Sequence, residues 1–313
     1  MRTPARNTII LRLLVGLGAL LLVAPGSQSF AQKSGTAATQ SASPLQGLAF
    51  VRGRTIQNRH VMTTRSDGSV TRLVRGFDPV WSPNGRELAY LALRPVAPSA
   101  GMESDIFVVS ADGRHRRRIT NDPSQESDIQ WSPDGAQIAY SDSNPEGGGR
   151  DILVTDRSGR LHRRLTRTVS LCESPTGWSR DGKWVQVTTC STGVRSERRA
   201  SDGKKRPPST PRGSLSPDGK WIAYVTSDGL TSRLYVADAR GRNARRIAIQ
   251  AVRPTWSPDS HRLAYEGDAR DGCGATEYHA QIFVIALEPN STPVPRDCID
   301  AWERTPAWQP LRR

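Results

Sequence analysis

From about residue 48 to residue 310 the chain alternates short apolar runs with clusters of turn residues, and the alternation repeats. Leu88-Ala89-Tyr90, Ile138-Ala139-Tyr140, Ile222-Ala223-Tyr224 and Leu263-Ala264-Tyr265 are one recurring strand core. Each is followed by a second: Ile106 to Val109, Ile152 to Val154, Leu234 to Val236 and Ile282 to Ile285. Runs of this length, bounded by Gly, Pro, Asn and Asp, predict β-strands joined by tight turns. Turns such as Asp112-Gly113 and Ser158-Gly159 then lead into short strands around Ile119, Leu165 and Ile247.

Seven residues before each apolar-Ala-Tyr core stands an anchor. It reads Trp81-Ser-Pro-Asn-Gly85, Trp131-Ser-Pro-Asp-Gly135, Trp178-Ser-Arg-Asp-Gly182, Leu215-Ser-Pro-Asp-Gly219 and Trp256-Ser-Pro-Asp-Ser260, with a truncated copy at Trp308-Gln-Pro310. Proline presets φ for a tight turn, and Asp-Gly supplies a side-chain acceptor and the positive-φ position that ends it. Anchor spacings of 50, 47, 37, 41 and 52 residues sit near the roughly 40–45 of a four-stranded propeller blade. Each repeat therefore reads as strands A, B, C and D.

Before the first anchor, Leu48-Ala49-Phe50, Val61-Met62-Thr63 and Leu73-Val74 match strands B, C and D without an A; Thr305 to Pro310 is an A without the rest. Joining them closes a ring and removes exposed sheet edges. The expected fold is all-β: a six-bladed β-propeller of four-stranded antiparallel blades over residues 45–313, closed by pairing the C-terminal strand into the N-terminal blade. The fourth blade is irregular, with a nearly all-polar strand C at Ser196 to Arg199 and Leu215 replacing Trp in the next repeat.

Residues 1–31 read as a signal peptide. Arg2, Arg6 and Arg12 precede 12 apolar or glycine residues from Leu13 to Ala24, and Ser29-Phe30-Ala31 has the small-x-small cleavage pattern. Such a run is too short to span a bilayer, which takes about 20 residues, and no transmembrane segment is expected after cleavage. Residues 32–44, rich in Ser, Thr, Ala and Gln, read as a flexible tether. A periplasmic or secreted monomer of bacterial origin is expected.

Export changes the reading of the four cysteines, because an oxidising compartment favours disulfides. Cys172 and Cys190 flank a hairpin centred on Asp181 and are placed to bridge, leaving Cys273 and Cys298 as a second pair. No Cys-x-x-Cys occurs and the five histidines are scattered, so zinc is not expected.

The Trp-Ser-Pro-Asp-Gly, apolar-Ala-Tyr and Asp-Gly series resembles the WD-like propeller repeat of the TolB family, over residues 45–310. The resemblance implies a periplasmic partner-binding propeller; where that family carries an N-terminal α/β domain, only the tether stands here. The same repeats form the propellers of prolyl-oligopeptidase-type peptidases, but no Gly-x-Ser-x-Gly elbow is present.

Charge supplies the remaining candidates. The chain carries +14, or +11 once the three arginines of residues 1–31 are removed. Near the start of each strand A stand Asp78, Glu126, Asp128, Glu173, Arg212, Arg253 and Arg304. They suggest a channel mouth acidic on one arc and basic on the other, suited to a polar or zwitterionic ligand or a peptide terminus; solvated strand-end charges are the alternative. Arg116, Arg117, Arg163, Arg164, Lys204, Lys205, Arg245 and Arg246 form a basic rim along the D strands. Charged edges prevent sheet-to-sheet pairing, and they also suit an acidic protein or envelope component. Nucleic acid is not expected, for want of aromatic stacking platforms. No catalytic constellation is recognisable. The expected role is a protein- or envelope-interaction scaffold, with a channel-site lyase or hydrolase acting on a carbohydrate or peptide as the alternative. No cofactor is expected, apart from room for Ca²⁺ on the arc of Asp78, Asp128 and Glu173.

Overall fold

The computed structural model describes residues 46–94, 103–143, 148–168, 171–209, 213–268, 280–288, 293–295 and 303–310. The expected signal peptide and tether, together with Arg212, Cys273 and Cys298, lie outside the described residues.

Blade 1 begins with β1 (Leu48–Arg52), β2 (His60–Thr64) and β3 (Val70–Arg75). Blade 2 is β4 (Phe77–Trp81), β5 (Glu87–Arg94), β6 (Glu103–Ser110) and β7 (Arg117–Arg118); blade 3 is β8 (Glu126–Trp131), β9 (Gln137–Ser143), β10 (Arg150–Asp156) and β11 (His162–Arg164). Blade 4 is β12 (Glu173–Trp178), β13 (Trp184–Thr189), β14 (Arg195–Arg199) and β15 (Lys205–Arg206). Blade 5 is β16 (Ser214–Leu215), β17 (Trp221–Ser227), β18 (Ser232–Asp238) and β19 (Arg245–Ile249); blade 6 is β20 (Val252–Trp256), β21 (Arg262–Asp268), β22 (Ala280–Ala286) and β23 (Val294–Pro295). The last strand, β24 (Glu303–Trp308), pairs antiparallel with β1 and completes blade 1, with Leu48 opposite Trp308 and Arg52 opposite Glu303. Six four-stranded antiparallel sheets result, and among the described residues the only helical turn is Ile56–Asn58. No helix there is long and apolar enough to cross a membrane.

The apolar-Ala-Tyr cores are continuous rather than alternating because both faces of a blade are covered. Successive side chains of a strand point to opposite faces. Leu88 and Tyr90 accordingly pack with Ala49, Val61 and Trp81 towards blade 1, while Ala89 and Leu91 pack with Ile129, Trp131 and Ile138 towards blade 3. Cross-strand aromatic pairs reinforce the B–C junction: Tyr90 on Phe107, Tyr224 on Tyr235 and Tyr265 on Phe283, with ring centroids 5.5–5.9 Å apart.

The anchor motif has a consistent local chemistry. In blade 3, Ser132 Oγ accepts the Gln137 N–H (2.8 Å) and donates to Asp134 Oδ1 (2.6 Å), which also accepts the Ala136 N–H (2.9 Å). These bonds hold the Asp134 carboxyl below the usual carboxylate range, the Ser132 hydroxyl contributing most. The closing residue is left-handed in every copy described, including Ser260, at φ 64°, where the other repeats have glycine.

The anchor indole joins blades. Trp131 Nε1 donates to Val80 O (3.1 Å), Trp178 Nε1 to Gln130 O (3.1 Å) and Trp256 Nε1 to Ser214 O (2.9 Å), each acceptor being the residue before the preceding anchor. Leu215 cannot make this bond, and it is 54% exposed. Leu215→Trp is expected to stabilise the protein by about 1 kcal/mol through a bond to Gly177 O and added burial. That is a rise in Tm of about 2–4 °C; an unchanged or lower Tm would show that this seam rejects an indole.

Blade 4 explains its polar strand C. Glu197 is fully buried, with Oε2 on Arg206 Nε (2.5 Å) and Oε1 accepting from Ser209 N (3.1 Å) and Oγ (2.7 Å). The Arg206 guanidinium also lies 3.8 Å from the Trp184 ring centroid. Cys172 and Cys190, at the open end of the β12–β13 hairpin, form a disulfide with Cα atoms 5.3 Å apart, and Cys190 N donates to Cys172 O (2.8 Å).

Candidate functional site at the channel mouth

The A strands are innermost: β24 touches β4, β4 touches β8, β8 touches β12 and β20 touches β24. Along them one position is conformationally unusual. Three residues before the anchor, Asp78, Asp128, Arg253 and Thr305 have φ of 48°, 55°, 52° and 48°. At each the A–B pairing shifts register by a bulge. Asp adopts this region at modest cost, whereas for a β-branched residue such as Thr305 it is a true outlier. Three of the four precede proline, as Asp78-Pro79, Arg253-Pro254 and Thr305-Pro306, which further disfavours a helical backbone. The same strained bulge therefore recurs in four of the six A strands, β4, β8, β20 and β24, and retained strain of this kind clusters at functional sites.

The side chains there form one electrostatic set. Enclosure raises the Asp78 carboxyl above its ordinary range; Arg253 and Arg59 pull it down, while Asp128 and Glu266 push it up. Arg253 Nη1 donates to Glu266 Oε2 at 3.1 Å, and the Thr305 N–H points at the same oxygen from 3.3 Å. Enclosure, then Arg304, lowers the Arg59 guanidinium. Asp128 Oδ2 accepts from the hydroxyls of Ser127 (2.9 Å), Ser141 (3.1 Å) and Ser174 (3.0 Å), the last from the next blade, with Arg150 Nη1 at 3.9 Å.

Of the residues singled out from sequence, Asp78, Asp128, Arg253 and Arg304 come together here. Glu126 and Glu173 begin β8 and β12 but are buried, 1% and 4% exposed. Glu173 is held by Arg198 at 3.3 Å. Two members of the set, Arg59 and Glu266, were not apparent from sequence. Glu266 follows the apolar-Ala-Tyr core directly, and that offset is the signal that marks it.

The rim arginines are partly committed. Arg117 (2.7 Å) and Arg157 (2.8 Å) share Glu87. Arg164 bonds Asp151 (2.5 Å), Arg163 donates to Ala200 O (3.0 Å) and Arg116 lies 4.1 Å from the Phe107 ring centroid. Lys204, Lys205, Arg245 and Arg246 are exposed.

The fold defines the class: a TolB-like six-bladed β-propeller. No protein-family model matches the chain. It is similar to TolB from Acinetobacter baumannii, with a TM-score of 0.66 and 19% identity over 84% of this chain and 67% of that one. In sequence it is 34% identical to the Tol-Pal system protein TolB of Anaeromyxobacter dehalogenans (strain 2CP-C), over 35% of this chain and 27% of that protein. It is 29% identical to the uncharacterized peptidase YuxL of Bacillus subtilis, over 53% of this chain and 24% of that protein. The chain thus spans about a quarter of the length of these two relatives.

Proposed function

We propose that the protein is an exported interaction module whose channel mouth receives a charged, extended segment of a protein of the cell envelope. The observation that carries this reading is the left-handed bulge shared by Asp78, Asp128, Arg253 and Thr305, beside which Asp78, Arg253, Arg59 and Glu266 interact as one mixed-charge set. A peptide presents charges of both signs and unpaired backbone groups, and such a set has a complement for each. The similarity to TolB supports the protein class of the ligand, and the Cys172–Cys190 disulfide supports an oxidising compartment.

The test is affinity capture from envelope extract with wild-type protein and an Arg253→Ala/Asp128→Asn variant. Wild type is expected to retain one stoichiometric protein, and the variant to bind it at least about tenfold more weakly, the loss of one desolvated charge contact being about 1.4 kcal/mol or more. Equal capture by a correctly folded variant would remove the channel mouth from the function. A hydrolytic role on a peptide is the second reading. It is favoured by the YuxL similarity and by the raised Asp78 carboxyl beside Arg253, the kind of group a general acid requires.

A further inference from the structure

Away from the channel set, the first residue of strand A differs tellingly between blades. Glu303, Glu173 and Glu126 all stand five residues before their anchors and are all buried. In blade 1 the residue directly opposite on strand B is Arg52, whose Nη2 meets Glu303 Oε1 at 2.8 Å. In blade 4 the cation comes from strand C, as Arg198. In blade 3 the residue opposite Glu126 is Asp142, another buried acid. Like charges facing each other across a sheet are destabilising, and a third carboxylate, Asp122, closes on the same point.

Among the described residues neither carboxylate oxygen of Glu126, nor Asp142 Oδ1, has a hydrogen bond of normal geometry, and only the Thr120 and Ser124 hydroxyls stand near these two carboxyl groups as donors. Neighbouring cations are committed elsewhere. Arg164 reaches Asp142 Oδ2 at 3.5 Å but bonds Asp151 at 2.5 Å. Arg94 donates to the backbone carbonyl of Asp122 and pairs with Glu103 at 2.7 Å and Asp105 at 3.7 Å. Burial, then Asp122 and Asp105, push the Glu126 carboxyl up to about 9, against a partial lowering by the nearby Thr120 hydroxyl. One blade therefore has two additional acids where its siblings have an arginine, and among the described residues the salt bridge that reaches the three carboxylates, from Arg164 to Asp142, is shared with Asp151.

We propose that Asp122, Glu126 and Asp142 form a divalent-cation site that takes Ca²⁺. One oxygen from each carboxylate lies within 4.8 Å of the others, a spread bridged by an ion about 2.3–2.6 Å from each. An all-oxygen, irregular set carried partly on rigid strands suits Ca²⁺ better than Mg²⁺, which demands a tighter octahedron. Asp122 is only half-buried, so water completes the coordination on that side. The ion does in blade 3 what Arg52 does in blade 1, and it ties the segment preceding β8 to strand B. This site is separate from the arc of Asp78, Asp128 and Glu173 considered from sequence, and it stands whatever the channel mouth binds.

Chelator-stripped protein is titrated with Ca²⁺ by calorimetry, and its thermal unfolding is followed with and without the ion. Wild type is expected to bind one Ca²⁺, with a Kd on the order of 10⁻⁴ M, and to show a saturable rise in Tm. Glu126→Gln is expected to weaken binding about 100-fold and abolish the rise, while in chelator it melts at or above the wild-type temperature, which shows that it folds. Asp228→Asn, in the exposed loop between β17 and β18, should keep the full response. Absence of saturable binding up to millimolar Ca²⁺, survival of the response in Glu126→Gln, its loss in Asp228→Asn, or a response to Mg²⁺ alone would each overturn the assignment.

Discussion

Trp131→Ala is expected to lower the unfolding free energy by about 4 kcal/mol, within the range of roughly 3–5 for truncating a buried aromatic residue. Trp131 is buried among Phe77, Ala89, Leu91 and Ile138 at the junction of blades 2 and 3. Its indole N–H is the donor to Val80 O, so truncation opens a cavity and removes a donor from a half-buried carbonyl together. Trp131→Phe separates the two effects. It keeps most of the volume and loses the donor, and about 1–2 kcal/mol is expected. Urea unfolding measures both, through a shift in midpoint at unchanged slope. A loss below about 1 kcal/mol for Trp131→Ala would mean that blades are held by their sheets alone.

The second large effect is expected from removing the blade 4 disulfide. Cys172 and Cys190 are separated by 18 positions, and closing a loop near that length restricts the unfolded chain by about 3 kcal/mol. The double Cys→Ala variant should lose about that amount. The location of the loss is as informative as its size. The β14 core is Ser196 and Glu197 rather than apolar residues, so little hydrophobic burial compensates there. Amide exchange should accelerate first in β12–β15; acceleration spread evenly over all six blades would show that the bridge acts on the ring as a whole.

The repeat made most of the architecture legible. Trp-Ser-Pro-Asp-Gly is a turn whose every residue has a local job, and the apolar-Ala-Tyr core advertises a strand covered on both faces. Both signals are short-range, and both survive in one dimension. The site was only partly legible. Reading three residues back from each anchor found Asp78, Asp128 and Arg253, and the Xaa-Pro pairs there hinted at the bulge. It did not find Arg59, which arrives from the loop between β1 and β2, nor Glu266, which comes from strand B. The Asp122–Glu126–Asp142 cluster was hidden for a similar reason. That Asp142 occupies the position of Arg52 emerges only once strand register is known, because a one-residue slip exchanges the faces of a strand. The basic rim reads from sequence as a uniform stripe, yet Glu87 and Asp151 engage part of it.

The indole bonds between blades have a mechanical corollary. They fasten blade 2 to 3, 3 to 4 and 5 to 6, but the indole nitrogens of Trp81 and Trp308, on the two flanks of blade 1, have no acceptor. There the ring relies on β24, whose trailing Gln309 donates from its backbone to Gly47 O (2.9 Å) and from its side chain to Gly85 O (2.6 Å). Tension applied beyond Trp308 would load this single strand before any other, peeling it from β1 as a buckle is undone. The ring is a bracelet with a clasp, fastened at one strand rather than at every blade.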